Sequence, residues 1–199
     1  MGHPNGGKNN GYENISNDTV FKLVKLHPPY HCLVLYPNIE TIRKIYVEYI
    51  RIIIQQRDVA ILFLPYYDTT DKTRQLFMTN GLDVKRYERN NSLVLIDFAK
   101  VINNPYLGIP TAFGLKEFIN KIQIYNKGKD LVVIADMSLY NHLNNIKDLL
   151  EFENLSRNRY GIQNWNQLCL YSKLDFDLMF SDDQKQEIFE YHKDKVIVV

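Results

Sequence analysis

The stretch LVVIADMS, residues 131–138, constrains the fold of this chain more than any other. Five apolar residues in succession leave no polar face, so a strand built from them must be covered on both sides, as a central strand of a parallel sheet is. Asp136 closes the run, and Ser138 follows as a residue suited to cap a helix. A second run, LVLID, ends in the same way at Asp97. In an open α/β sheet the ligand crevice lies outside the carboxyl ends of the strands, so the two aspartates mark the candidate site.

Strand and helix patterns alternate along the rest of the chain. HCLVLY (31–36) is a short apolar run bounded by prolines, and Ile42, Ile45, Tyr46, Tyr49, Ile50 and Ile53 then recur at helical spacing. Asn38 is placed to cap that helix, with Glu40 in its first turn. VAILFL (59–64) reads as the next strand, and residues 71–80 as a helix stopped by Gly81. After LVLID a loop with Asn103, Asn104, Pro105 and Pro110 leads to a helix whose Leu115, Phe118, Ile119 and Ile122 share one face, closed by Gly128. After LVVIAD a single helix capped by Ser138 is expected to bury Leu139, Leu143, Ile146 and Leu150. NQLCLY (166–171) is a fifth strand, SDDQ (181–184) a capping box opening a helix with Ile188 and Phe189, and VIVV (196–199) a sixth strand. This order predicts an α/β fold: a mainly parallel sheet with helices on both faces, joined by right-handed crossovers.

Residues 1–19 hold four of the nine glycines and five asparagines, with almost no apolar side chains to offset the entropy of ordering them. Residues 1–20 are therefore expected to be a flexible tail and residues 21–199 a single domain, with FKLVKL (21–26) a short strand or docking segment. The formal net charge of +1 over 199 residues gives no general attraction to nucleic acid or to an anionic membrane. No run approaches 18 apolar residues, and the N-terminus lacks an apolar segment of signal-peptide type. Cys32 and Cys169 lie in apolar segments without a CxxC partner, which points to a reducing compartment. The expectation is a cytoplasmic protein without direct nucleic-acid or membrane contact.

A nucleotide-binding sheet needs a glycine-rich turn after its first strand and a lysine for the phosphates. The turn here reads Pro37-Asn38-Ile39-Glu40-Thr41, with no glycine and with a carboxylate instead of an amine. Neither GxGxxG nor a nucleophile-elbow glycine pattern occurs. Asp97 and Asp136, taken as a pair on adjacent strands, can hold a hydrated metal or accept hydrogen bonds from a polar ligand; a lone strand-end aspartate can equally cap the next turn. His31 beside Cys32 suggests a metal, but neighbours on a strand point to opposite faces, which favours packing. Cys169 reads as a small buried hydrophobe. Of fourteen tyrosines, Tyr36, Tyr66, Tyr67, Tyr106, Tyr140 and Tyr171 fall near loops, where an apolar body with a polar tip suits a pocket for a small, weakly polar molecule or, equally, the rim of the core. The candidate ligand-binding set is Tyr36, Tyr66, Asp97, Asp136, Ser138 and Tyr171, with no catalytic residue, metal ligand or cofactor assigned.

HCLVLY with its amphipathic helix, VAILFL, NGLDV (80–84), LVLIDFAKVI, VVIADMSLY, LLEFENL (149–155) and LCLYSKLDFD occur in an order that resembles the methanogen/methylotroph sensory (MEDS) domain over roughly residues 27–199. That family is similar to RecA-like ATPases of the circadian-clock type. The resemblance implies a RecA-like three-layer sandwich without the phosphate loop, with Asp136 standing where those ATPases carry a metal-associated aspartate; MEDS members usually have a glutamate there. It also implies a non-enzymatic sensor of a small molecule, acting through a protein partner such as a kinase or transcription regulator, or through self-association. The alternative is a RecA-like ATPase with a non-standard phosphate loop. The loop at 103–110, with Tyr106 and Leu107, is the expected switch between ligand-free and ligand-bound forms. Without a backbone amide cradle and a lysine, ATP should give no heat of binding at micromolar concentration in calorimetry. Binding that is lost on replacing residues 37–41 would place a phosphate site in that turn.

Overall fold

The apolar runs form six strands in the computed structural model, which describes residues 10–102, 112–126, 129–157, 165–193 and 195–199. They are β1 (His31–Tyr36), β2 (Val59–Leu64), β3 (Leu93–Leu95), β4 (Asp130–Asp136), β5 (Trp165–Ser172) and β6 (Val196–Val198). All pair in parallel, in the order β3-β2-β4-β5-β1-β6. β4 lies inside the sheet and is buried from Leu131 to Asp136, as its unbroken apolar run requires.

Ten helices among the described residues cover the two faces. On one face, α1 (Asn10–Val24), α2 (Ile39–Gln56), α3 (Thr70–Thr79) and α4 (Val84–Arg89) enclose a core with Cys32, Val34, Ile61, Phe63 and Ile134. On the other lie α5 (Phe98–Ile102), α6 (Ala112–Tyr125), α7 (Ser138–His142), α8 (Ile146–Arg157), α9 (Lys173–Met179) and α10 (Asp182–Tyr191), around Leu33, Leu62, Val133, Cys169 and Tyr171. The result is a three-layer α/β sandwich. Several boundaries follow from local caps: Asn38 Oδ1 accepts from the Thr41 amide at 2.9 Å, Ser181 and Gln184 form the capping box of α10, and Gly81 adopts φ +83 where α3 ends. Among the described residues no helix is long and apolar enough to cross a membrane.

Four readings need correction. Residues 21–26 are not a strand: α1 runs through Val24 and starts inside the stretch expected to be a flexible tail, because Val20 and Leu23 join the apolar core of Val47, Ile50 and Ile54. The helix after β4 is two helices. Asn144 adopts φ +51, and the Asn145 side chain accepts from the Asp148 amide at 3.3 Å to start α8. Ser138 does not cap α7; Met137 holds the cap position. Finally, β2 separates β3 from β4, so Asp97 and Asp136 are not on adjacent strands. Three helices went unread, α4, α5 and α9, whose caps are Asp83, Asp97 and Ser172. The loop at 103–110 and Gly128 lie outside the described residues.

A strand would place residues 21 and 23 on one face, whereas the helix buries Leu23 and leaves Phe21 57% exposed. Leu23→Ala should therefore destabilise by about 2–5 kcal/mol and Phe21→Ala by roughly 0.5 kcal/mol or less, measured by urea unfolding. Equal effects would remove α1 from the core.

Candidate functional site

Because all strands run the same way, β1, β2, β4 and β5 deliver their last residues to one edge of the sheet. At that edge the Tyr36 hydroxyl donates to Asp136 Oδ2 at 3.1 Å, reaching across β5, which lies between their strands. The Ser138 amide donates to Asp136 Oδ1 at 3.1 Å, and Ser138 Oγ lies 3.3 Å from the Tyr36 hydroxyl. Asp136 is only 5% exposed. Burial pushes its carboxyl up to about 7; hydrogen bonds from Ser138 and Tyr36 oppose the shift, and the charge of Asp175 adds to it.

Tyr66 and Tyr67 follow β2. Their rings lie 4.7 Å apart, Tyr66 is 5.8 Å from the His142 ring, and the Tyr67 hydroxyl donates to Asp175 Oδ2 at 3.3 Å. With Ser138, Asn141 and Met179 these residues wall an open cleft of about 270 Å³. Asn141 is 6% exposed, and neither its side-chain oxygen nor its nitrogen has a hydrogen-bond partner among the described residues. Behind the tyrosines, Asp68 receives Arg43 through two nitrogens at 2.6 and 2.7 Å and Lys72 at 2.7 Å. Burial alone would raise the Asp68 carboxyl, but these cations hold it below its usual range and fix the turn that carries the tyrosines.

The structure thus gathers Tyr36, Tyr66, Asp136 and Ser138, and it does not bring in Asp97 or Tyr171. Asp97 sits at the same edge beyond β2, where its Oδ1 accepts from the Lys100 amide at 3.2 Å and caps α5. Tyr171 points to the opposite face, its ring 5.6 Å from Phe176 and 6.1 Å from Phe180, and its hydroxyl donates to Glu153 Oε1. Sequence reasoning missed Asn141, His142 and Asp175, and it named Tyr67 among the loop tyrosines without carrying it into the candidate set. The Tyr66-Tyr67 doublet directly after a buried strand was the available signal.

Also unforeseen is a buried group under the second face: His31 from β1, Glu153 from α8, Cys169 from β5 and His192 just after α10. His31 and Cys32 do point apart, but His31 meets Cys169 on the neighbouring strand, with Nε2 to Sγ at 3.3 Å. Cys169 is therefore more than a small hydrophobe. Its thiol lies 3.3 Å from Glu153 Oε2 and 2.9 Å from Gln167 Nε2. Burial by itself would raise the Glu153 carboxyl, yet His192 and His31 hold it well below the ordinary carboxylate range.

Asp136 gives the edge site a pH dependence. Below about pH 4 the carboxyl is protonated in folded and unfolded chains alike. Between about 4 and about 7 the unfolded chain releases the proton first, so this group's contribution to stability is lost as pH rises through its folded value near 7. Asp136→Asn should therefore gain stability relative to the unmodified chain from pH 5 to pH 7, by on the order of 1.4 kcal/mol for each unit crossed, in urea unfolding at several pH values. Parallel profiles would show an ordinary carboxylate.

No curated protein matches the chain, and no solved structure does. A family model matches residues 30–193: MEDS, described as the methanogen/methylotroph, DcmR sensory domain. The span runs from the residue before β1 to beyond α10 and contains both residue groups described above. With most of its length covered in this way, the chain belongs to the MEDS family of sensory domains.

Proposed function

We propose that the cleft between Tyr66, Tyr67 and α7 is the sensory site, and that it binds one small, weakly polar molecule without converting it. The observation that carries this reading is the Asn141 amide, buried in the cleft wall with neither polar atom paired among the described residues. A buried donor or acceptor left without a partner costs about 1–3 kcal/mol, and a ligand hydroxyl or amide recovers that by pairing with both atoms at once. The tyrosine rings supply the apolar walls. Ser138, held against Tyr36 and Asp136, supplies a fixed hydroxyl at the base.

The ligand signals by binding one conformation better than another, and a protein partner or a second copy of the chain reads the difference. A kinase or a transcription regulator fits the sensory character of the family.

Native mass spectrometry of the chain incubated with a library of small polar metabolites tests the site. The expected result is one retained ligand mass that disappears in Asn141→Leu and persists in Asp97→Asn. Retention of the same mass by Asn141→Leu would move the site elsewhere.

A further inference from the structure

We propose that His31, Glu153, Cys169 and His192 form a closed binding site for one divalent cation of the zinc type. The four donor atoms come from four separate places in the chain and lie within 4.8 Å of one another. The close pairs are His31 Nε2 to Glu153 Oε2 at 2.9 Å, His31 Nε2 to Cys169 Sγ at 3.3 Å, Cys169 Sγ to Glu153 Oε2 at 3.3 Å and His192 Nε2 to Glu153 Oε2 at 3.4 Å. Tetrahedral zinc, with bonds of about 2.0–2.3 Å, separates its donors by about 3.3–3.7 Å. Small side-chain adjustments bring this group to that shell.

Hydrogen bonding within the group does not satisfy it. The Ile188 carbonyl lies 2.8 Å from His192 Nδ1 and can only accept, so Nδ1 donates there and Nε2 is the ring nitrogen that faces Glu153, 3.4 Å from its Oε2. His192 is fully buried, and its Nε2 has no hydrogen-bond partner among the described residues. The contact between His31 and Glu153 at 2.9 Å occupies the same carboxylate oxygen and leaves His192 Nε2 outside the hydrogen bonding. A cation at the centre engages all four donors.

The surroundings have the character of a metal site's outer shell. The Ile188 carbonyl fixes the His192 ring, the Tyr171 hydroxyl engages Glu153 Oε1 and leaves Oε2 for the centre, and Gln167 Nε2 lies 2.9 Å from the sulfur. Two imidazoles, one thiolate and one carboxylate favour zinc over magnesium or calcium, which take oxygen ligands. The thiolate and carboxylate also neutralise a divalent charge, as full burial requires.

Chelator-treated full-length protein titrated with Co²⁺ tests the site. The expected result is one Co²⁺ per chain with intense tetrahedral visible bands and a thiolate-to-cobalt charge-transfer band. Zn²⁺ should abolish both, and Cys169→Ser should lack the charge-transfer band while keeping the far-ultraviolet circular dichroism of the parent. X-ray absorption of the zinc-loaded parent needs no variant and should show one sulfur at about 2.3 Å with nitrogen or oxygen at about 2.0–2.1 Å. Absence of stoichiometric cobalt, a charge-transfer band that survives in Cys169→Ser, or a zinc shell without sulfur would each overturn the proposal.

Discussion

β4 has no side that faces water. Between Leu131 and Ala135 every side chain enters one core or the other, so the strand is stable only where paired strands flank it and helices cover it above and below. The rest of the architecture answers that demand. α2 covers the first face with Ile42, Ile45, Ile50 and Ile53, and α6 and α8 cover the second with Ile119, Leu149 and Phe152. Since parallel strands cannot be joined by tight hairpins, each covering helix is also the connection to a following strand. The same constraint that buries β4 sets its last residue, Asp136, at the edge where the crossovers begin.

The sheet divides the chemistry as well as the packing. Successive side chains of a strand point to opposite faces, and β5 uses this at neighbouring positions. Leu170 lines the crevice beside Asp136, while Cys169 and Tyr171 face the histidine group. β5 is thus the shared wall of two polar clusters that do not see each other. Each cluster draws on different helices: α7 and the turn after β2 at the edge, α8 and the end of α10 beneath the second face.

How far the sequence reveals this depends on the distance over which each signal acts. The caps at Asn38 and Ser181 are complete within four residues and can be read directly. The strands are legible because their apolar runs are unbroken, and the edge position of Asp136 follows from the parallel order. His31 and Cys169 are 138 positions apart, and only the β1–β5 register, with His31 opposite Gln167, brings them to one face. Glu153 gives no sign of itself within LLEFENL, where its spacing is that of any polar residue on a helix. The break between α7 and α8 depends on one asparagine at positive φ, a conformation that asparagine adopts readily without being obliged to. The helical state of residues 21–24 depends on the surface of α2, which makes packing decisive where local propensity is not.

Two buried carboxyls show how partners, rather than burial, decide charge. Asp136 and Glu153 are both almost wholly withdrawn from water, and burial opposes ionisation in each. Asp136 has neutral donors around it, one amide and one or two hydroxyls, which stabilise an anion only in part; its carboxyl stays near neutrality and accepts or releases a proton at little expense. Glu153 faces two imidazoles as well as the Tyr171 hydroxyl, and the opposite result follows: it is held as an anion. A group poised between charge states suits the small, weakly polar ligand proposed for this edge, because its charge can adjust to that molecule's donors and acceptors. A carboxylate fixed in its charged form and backed by immobile donors suits a permanent positive partner. The same residue chemistry, set in two neighbourhoods by one sheet, thus gives an adjustable carboxyl at the sheet edge and a fixed carboxylate beneath the second face.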